Sequence, residues 1–181
     1  MKRSFFKIKI FLFMAIFCLG ASGPVQADDR LKNAGDVLTI ALPATAAGLT
    51  LGFKDGQGTL QLGSSAALAL GLNYGLKYTV DAQRPNGEDH SFPSTHATVS
   101  FMSAEFMRKR YGWEYGIPAY LAASLVAYSR VQADEHYTRD VLAGAAIGIG
   151  SSYLFARPYK GWQMQPDVGQ GYYGIRLSRN W

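Results

Sequence analysis

The chain has 181 residues, 48% of them apolar and 17% charged, with a formal net charge of +5. That length carries one domain with a proper core and is short for two. Four cations, Lys2, Arg3, Lys7 and Lys9, crowd the N-terminus, and without them 14 cations face 13 acids, so the basic balance does not point to nucleic acid as a partner.

Residues 1–27 read as an export signal. A basic start is followed by the apolar run "IFLFMAIFCLG", too short to span a membrane comfortably, and "VQA" before Asp28 has the pattern of a cleavage site. The only cysteine, Cys18, lies inside this segment behind Phe17, where a lipoprotein site wants a small residue. The remaining chain has no thiol, which suits an oxidising compartment and excludes disulfides, thiolate metal ligands and cysteine nucleophiles.

Five helices are expected after the signal. Residues 36–53 form an Ala-rich apolar run opened by Asp36 as an N-cap candidate and closed by "KDGQG". Residues 59–80 form a second run. A third starts at Pro93-Ser94, carries Val99, Met102 and Phe106 at helical spacing, and ends through "RKRYG" at Gly112. Residues 117–130 and 135–156 make two more. The tail alternates Tyr173, Ile175, Leu177 and Trp181 like a short strand. The fold class is therefore all-α, a helical bundle with a small, possibly β, C-terminal arm: signal 1–27, bundle 28–160, arm 161–181.

Antiparallel helices with short links place alternate loops at opposite ends. The 77–96 and 129–136 connections then share one end, and "KDGQG", "RKRYG" and "RPYK" share the other. Lys77 and Arg84 are seven apart, two turns on one face if the helix continues, about 10 Å. Ser94, Thr95 and His96 start the third helix, where free N–H groups and the dipole favour an anion, and the fifth helix offers a second such start. His136 in its first turn and Asp140 four residues later share a face, so the carboxylate can orient the imidazole. Arg130 just upstream supplies a bidentate fork for phosphate-type oxygens. Three cations, two helix starts and two histidines describe a site for a tetrahedral oxyanion. One histidine can attack and the other can protonate the leaving oxygen.

"KYTVDAQRP" has the form K-x6-RP, "PSTH" stands where P-S-G-H is usual, and "SRVQADEHYTRD" has the form SR-x5-H-x3-D. Together these resemble the three signatures of the type 2 phosphatidic acid phosphatase family, whose superfamily includes bacterial acid phosphatases and vanadium haloperoxidases. The resemblance implies that His136 is the nucleophile forming a phosphohistidine, with Asp140 orienting it. His96 would act as general acid and then as base for water. Lys77, Arg84, Ser94, Thr95 and Arg130 would hold the phosphoryl oxygens, and no metal or cofactor is implied. Thr95 departs from the pattern: it can offer its N–H in place of the usual glycine only where the backbone avoids positive φ.

His90, in "GEDH", is expected in a solvated loop, and "RKR" at 108–110 as ordinary helix-end charge. The expected substrate is a phosphorylated lipid or small phosphate ester, with a membrane surface as partner and no nucleic acid; oligomeric state is not legible. Alternatives are a soluble broad-specificity acid phosphatase, a vanadate-dependent haloperoxidase and a non-catalytic envelope protein. The mean hydropathy of −0.03 and the interrupted apolar runs favour a cleaved, exported domain. Its alternative is an inner-membrane protein that keeps the first segment as a span. Both place the active site outside the cytoplasm, and the second fits the positive-inside pattern of "RKR" and "RPYK".

Overall fold

The structure is a computed structural model, described here for residues 27–159, 161–169 and 172–180. Residues 1–26 of the expected signal segment lie outside the described residues. Five helices follow in chain order: α1 (Ala27–Gly52), α2 (Gly56–Thr79), α3 (Thr95–Tyr111), α4 (Trp113–Gln132) and α5 (Thr138–Phe155). The C-terminal arm is an antiparallel hairpin of β1 (Gly161–Gly169) and β2 (Tyr172–Asn180). The all-α bundle with a β arm is thus the observed architecture.

The helix limits follow local chemistry. Asp55 caps α2 by accepting from Gly58 N at 2.8 Å. Ser94 caps α3, and Gly112, at φ 99°, ends it in the left-handed region where a side chain would be strained. Three limits differ from expectation. Asp36 lies inside α1, which begins nine residues earlier, and it is not an N-cap. α2 stops at Thr79, because Val80 is extended and the following loop folds on itself, with Ser91 N donating to Ala82 O and Arg84 N to Glu88 O. Arg84 therefore sits in a loop rather than two turns beyond Lys77. α5 begins at Thr138, so His136 precedes the helix, whose N-cap is Tyr137.

α3 runs through the middle and packs on all four other helices. Its contact with α5 is at backbone distance: a Cβ at Gly144 would lie 2.4 Å from Ser94 O, and one at Gly148 would lie 2.3 Å from Thr98 O. These two glycines, one turn apart, let the start of α5 meet the start of α3. Leu42, Ala46 and Leu49 of α1, Ala104, Phe106 and Met107 of α3, and Ala119 and Ala123 of α4 form the apolar core.

The end away from the 80–94 loop is closed by a buried ion pair. Arg110 donates from Nε to Asp55 Oδ2 at 2.8 Å, and Tyr111 Oη donates to the same oxygen at 2.9 Å. Burial alone would raise the Asp55 pKa; the hydrogen bonds from Arg110, Gly58 and Tyr111 outweigh it and hold the carboxyl below its ordinary value. "RKR" is therefore not a solvated helix end, since Arg110 is buried within this network. Arg157 O accepts from the same guanidinium, and Tyr159 N donates to Arg110 O, so "KDGQG", "RKRYG" and the start of "RPYK" do meet at one end.

Ile40, Leu51, Leu60, Leu121, Leu142 and Leu154 are exposed on the outer faces of four helices. Among the described residues one helical segment, Asp29–Gly52, is long and apolar enough to cross a membrane.

Candidate active site

The two histidine-bearing segments converge where α5 begins. Ser94 N donates to Asp140 O at 3.0 Å, tying the start of α3 to the first turn of α5. Thr95 and His96 are the first two residues of α3, so their N–H groups have no helical acceptor. The loop before α5 wraps the end of α4, with Glu135 N and His136 N both donating to Arg130 O. α1 approaches the end of α4 closely at Gly35, where a Cβ would fall 2.6 Å from Arg130 Nη2 and 2.1 Å from Ser129 Oγ, so a larger residue there would push these side chains aside.

The three expected cations line this place from three elements. Lys77, in the last turn of α2, is buried and donates to His90 O at 2.6 Å. Arg84 reaches Glu88 Oε2 and Glu135 Oε2, both at 2.8 Å, and its Nε has no partner. Arg130, 2% exposed, donates to Asp36 Oδ1 at 2.7 Å and to Lys32 O at 2.6 Å. Lys32 also pairs with Glu135. Each guanidinium thus already holds a carboxylate, Asp36 on Arg130 and Glu135 on Arg84.

His136 is 3% exposed, and its Nδ1 lies 3.9 Å from Asp140 Oδ2 without a hydrogen bond. The expected orienting contact is therefore not closed here, since Asp140 spends Oδ2 on Ser91 Oγ and on Tyr137 N, the latter at 3.0 Å. Asp140, the third residue of α5, thus holds the N-cap backbone of Tyr137 while lying within 4 Å of the ring. His96 Nε2 lies 3.2 Å from Asp36 Oδ1.

Burial, then the charges of Arg84 and Lys77, lower the His136 pKa to about 4; Asp140 opposes them, and His96 is close enough to add to the push. Both imidazoles thus lie at this end of the bundle, near Arg84, Lys77 and Arg130. The neutral ring therefore persists far into acid. In an NMR titration of histidine-labelled protein, with the His136 signal assigned by its loss in His136→Ala, the midpoint should fall near 4. A midpoint at the ordinary 6.5 would contradict the burial and charge argument. The sign carries over to stability. A folded pKa below the unfolded one means the unfolded chain binds more protons, so stability falls as pH drops from about 6.5 through 4.

Comparison with known proteins follows the same residues. The PAP2 superfamily model matches residues 86–163, which hold "PSTH" and "SRVQADEHYTRD", while Lys77 to Pro85 precede the match. The chain is 31% identical to the lipid A 4′-phosphatase of Helicobacter pylori, over 83% of this chain and 85% of that protein. The chain belongs to the PAP2 superfamily. It is a phosphatase.

Two further PAP2 relatives match over shorter spans. The lipid A 1-phosphatase of Porphyromonas gingivalis is 36% identical over 47% of this chain and 21% of its own length. The undecaprenyl-diphosphatase BcrC of Bacillus subtilis is 31% identical over 45% of this chain and 42% of its own. The fold is also that of the Aquifex aeolicus LpxE crystal structure, with a TM-score of 0.63, 21% identity, and coverage of 79% of this chain and 92% of that one. The transmembrane PAP2-type phosphatidylglycerolphosphate phosphatase of Bacillus subtilis gives a TM-score of 0.50 at 22% identity, covering 82% of this chain and 93% of that one.

All eight sequence-derived residues lie at one end of the bundle. His90 lies in an exposed loop, as expected; its carbonyl accepts from Lys77, and its ring sits edge-on against Tyr78 at 5.4 Å. Asp36, Glu135, Lys32, Ser91 and Asn73 were not identified from sequence. Glu135 lies inside the third signature and was open to notice as an acid beside a catalytic-type histidine. Asp36 is 94 residues from Arg130 and carries no local signal.

Proposed function

We propose that this chain hydrolyses phosphomonoester or pyrophosphate groups of membrane lipids through a phosphohistidine intermediate, without a metal. The observation that carries the reading is the convergence of His136, His96, Lys77, Arg84 and Arg130 around the starts of α3 and α5. Family membership supports phosphatase chemistry. The named substrates of the relatives, lipid A and undecaprenyl diphosphate, support a lipid phosphate over a small soluble ester.

In this reading a phosphoryl group displaces Asp36 and Glu135 from the guanidiniums. Its oxygens take Arg84, Arg130, Lys77, Ser94 and the Thr95 N–H. His136 attacks phosphorus in line, so an N–P bond forms as the P–O bond to the leaving group breaks, and His96 gives its proton to the departing oxygen. Neutral His96 then takes a proton from water. That water attacks the phosphohistidine, and inorganic phosphate leaves with His136 restored. Asp140 holds the ring once the 3.9 Å gap closes.

The apolar outer faces and the helix Asp29–Gly52 support a bilayer location, with the catalytic end on the periplasmic side. Residues 1–27 act as a signal or as a retained first span, 28–160 form the catalytic bundle, and 161–181 form an appended arm. Mass spectrometry finding Asp28 as the N-terminus would support cleavage; an intact Met1 would leave only the span. The substrate class is tested by a panel of lipid A, phosphatidate, a polyprenyl diphosphate and a short chromogenic ester, each in EDTA. Higher kcat/KM on the lipids is expected. Preference for the short ester would make the protein a broad-specificity phosphatase, and loss of turnover in EDTA would overturn the metal-free mechanism.

A further inference from the structure

α2 turns one stripe inward, with Ser65, Ala69, Asn73 and Lys77 at four-residue spacing. Lys77 belongs to the cationic pocket; Asn73, one turn earlier and fully buried, has no part in the steps above. Its amide is committed to the opening turn of α3. Thr95 Oγ1 donates to Asn73 Oδ1 at 2.8 Å, and Asn73 Nδ2 donates to Thr98 Oγ1 at 2.8 Å. Thr98 Oγ1 in turn donates to Ser94 O at 2.9 Å. The direction of this circuit is fixed by its members. The Thr98 hydroxyl proton goes to a carbonyl, so Asn73 must offer Thr98 its NH2 and keep its oxygen for Thr95.

We propose that Asn73 is a positioning residue for the phosphate cradle, acting through the hydroxyl of Thr95. Thr95 stands where the family pattern has glycine, and φ there is not positive. A threonine at a helix start has a hydroxyl free to fold onto local backbone or into the anion pocket. The buried amide of α2 takes that hydroxyl, fixes the rotamer, and leaves the Thr95 N–H as the group presented to the phosphoryl oxygen. The same circuit holds Ser94 O, so both ends of the Ser94-Thr95 unit are set from α2. Threonine thus serves in the glycine position only together with a hydrogen-bonding partner at residue 73.

This rests on the phosphatase reading of the pocket, and the test separates the two. Asn73→Leu, Thr95→Val and the double variant are assayed for inhibition by inorganic phosphate and for KM and kcat. Asn73→Leu should raise both the phosphate inhibition constant and KM about tenfold, the scale of one buried hydrogen-bonded position, with a smaller change in kcat. Thr95→Val should do the same. The double variant should be within about twofold of either single, because both break one linkage. Effects that multiply in the double, or an Asn73→Leu variant that lowers only the melting temperature, would overturn the proposal. If Asn73→Leu does not fold, Thr95→Val decides, and an unchanged phosphate inhibition constant refutes it. A wild type with no turnover on any phosphate ester, and no protection by phosphate against heat, would sink the phosphatase reading and this inference with it.

Discussion

His136→Ala should lower turnover of any phosphate ester by at least about a thousandfold while the protein stays folded. In the proposed cycle this ring is the nucleophile, its neutral form favoured by burial and by the charges of Arg84 and Lys77. His96 is the nearest substitute, but it is the proton carrier in the proposed cycle and pairs with Asp36. The fold should tolerate the change because the buried Nδ1 has no hydrogen-bond partner. Removing an unsatisfied polar atom recovers part of what the small cavity costs. Initial rates on a chromogenic ester and a thermal melt of the same preparation check both halves. Turnover within tenfold of wild type would remove His136 from the nucleophile's role.

Asp55→Ala should cost about 3–5 kcal/mol of stability, with activity per folded molecule unchanged. The carboxylate is 3% exposed and the guanidinium of Arg110 is 6% exposed. Without Asp55 the charge keeps Arg157 O at 2.8 Å and Gln61 Oε1 at 3.3 Å but loses its counter-ion. Tyr111 Oη and Gly58 N lose their acceptor as well. The melting midpoint should fall by about 10 °C for a chain of this size. Asp55→Ala/Arg110→Met should recover most of the loss, since it removes the stranded charge. A midpoint shift under about 2 °C in the single variant would show that the network is not a structural lock.

The bundle was legible because its signals are local. Apolar residues at helical spacing, the Ser94 cap and Gly112 mark where helices run and stop, and alternation of loops puts 77–96 beside 129–136. Less was legible at the boundaries. Thr79 and Val80 end α2 because the loop finds hydrogen bonds with itself, which no short window reveals. His136 falls outside α5 because its N–H goes back to Arg130 O. Arg110 reads as helix-end charge until Asp55, 55 residues away, is placed against it.

The chain alone determined the helix count and the two histidines and three cations that gather at one end, since these rest on residue identity and short spacing. Tertiary packing decided who pairs with whom. It set Asp36 against Arg130, Glu135 against Arg84, and Asn73 beneath Thr95, and it buried His136 deeply enough to hold its pKa near 4. The physical reason is that hydrogen-bond partners and desolvation depend on which helix faces meet, and α3 and α5 meet this closely only because Gly144 and Gly148 leave the space.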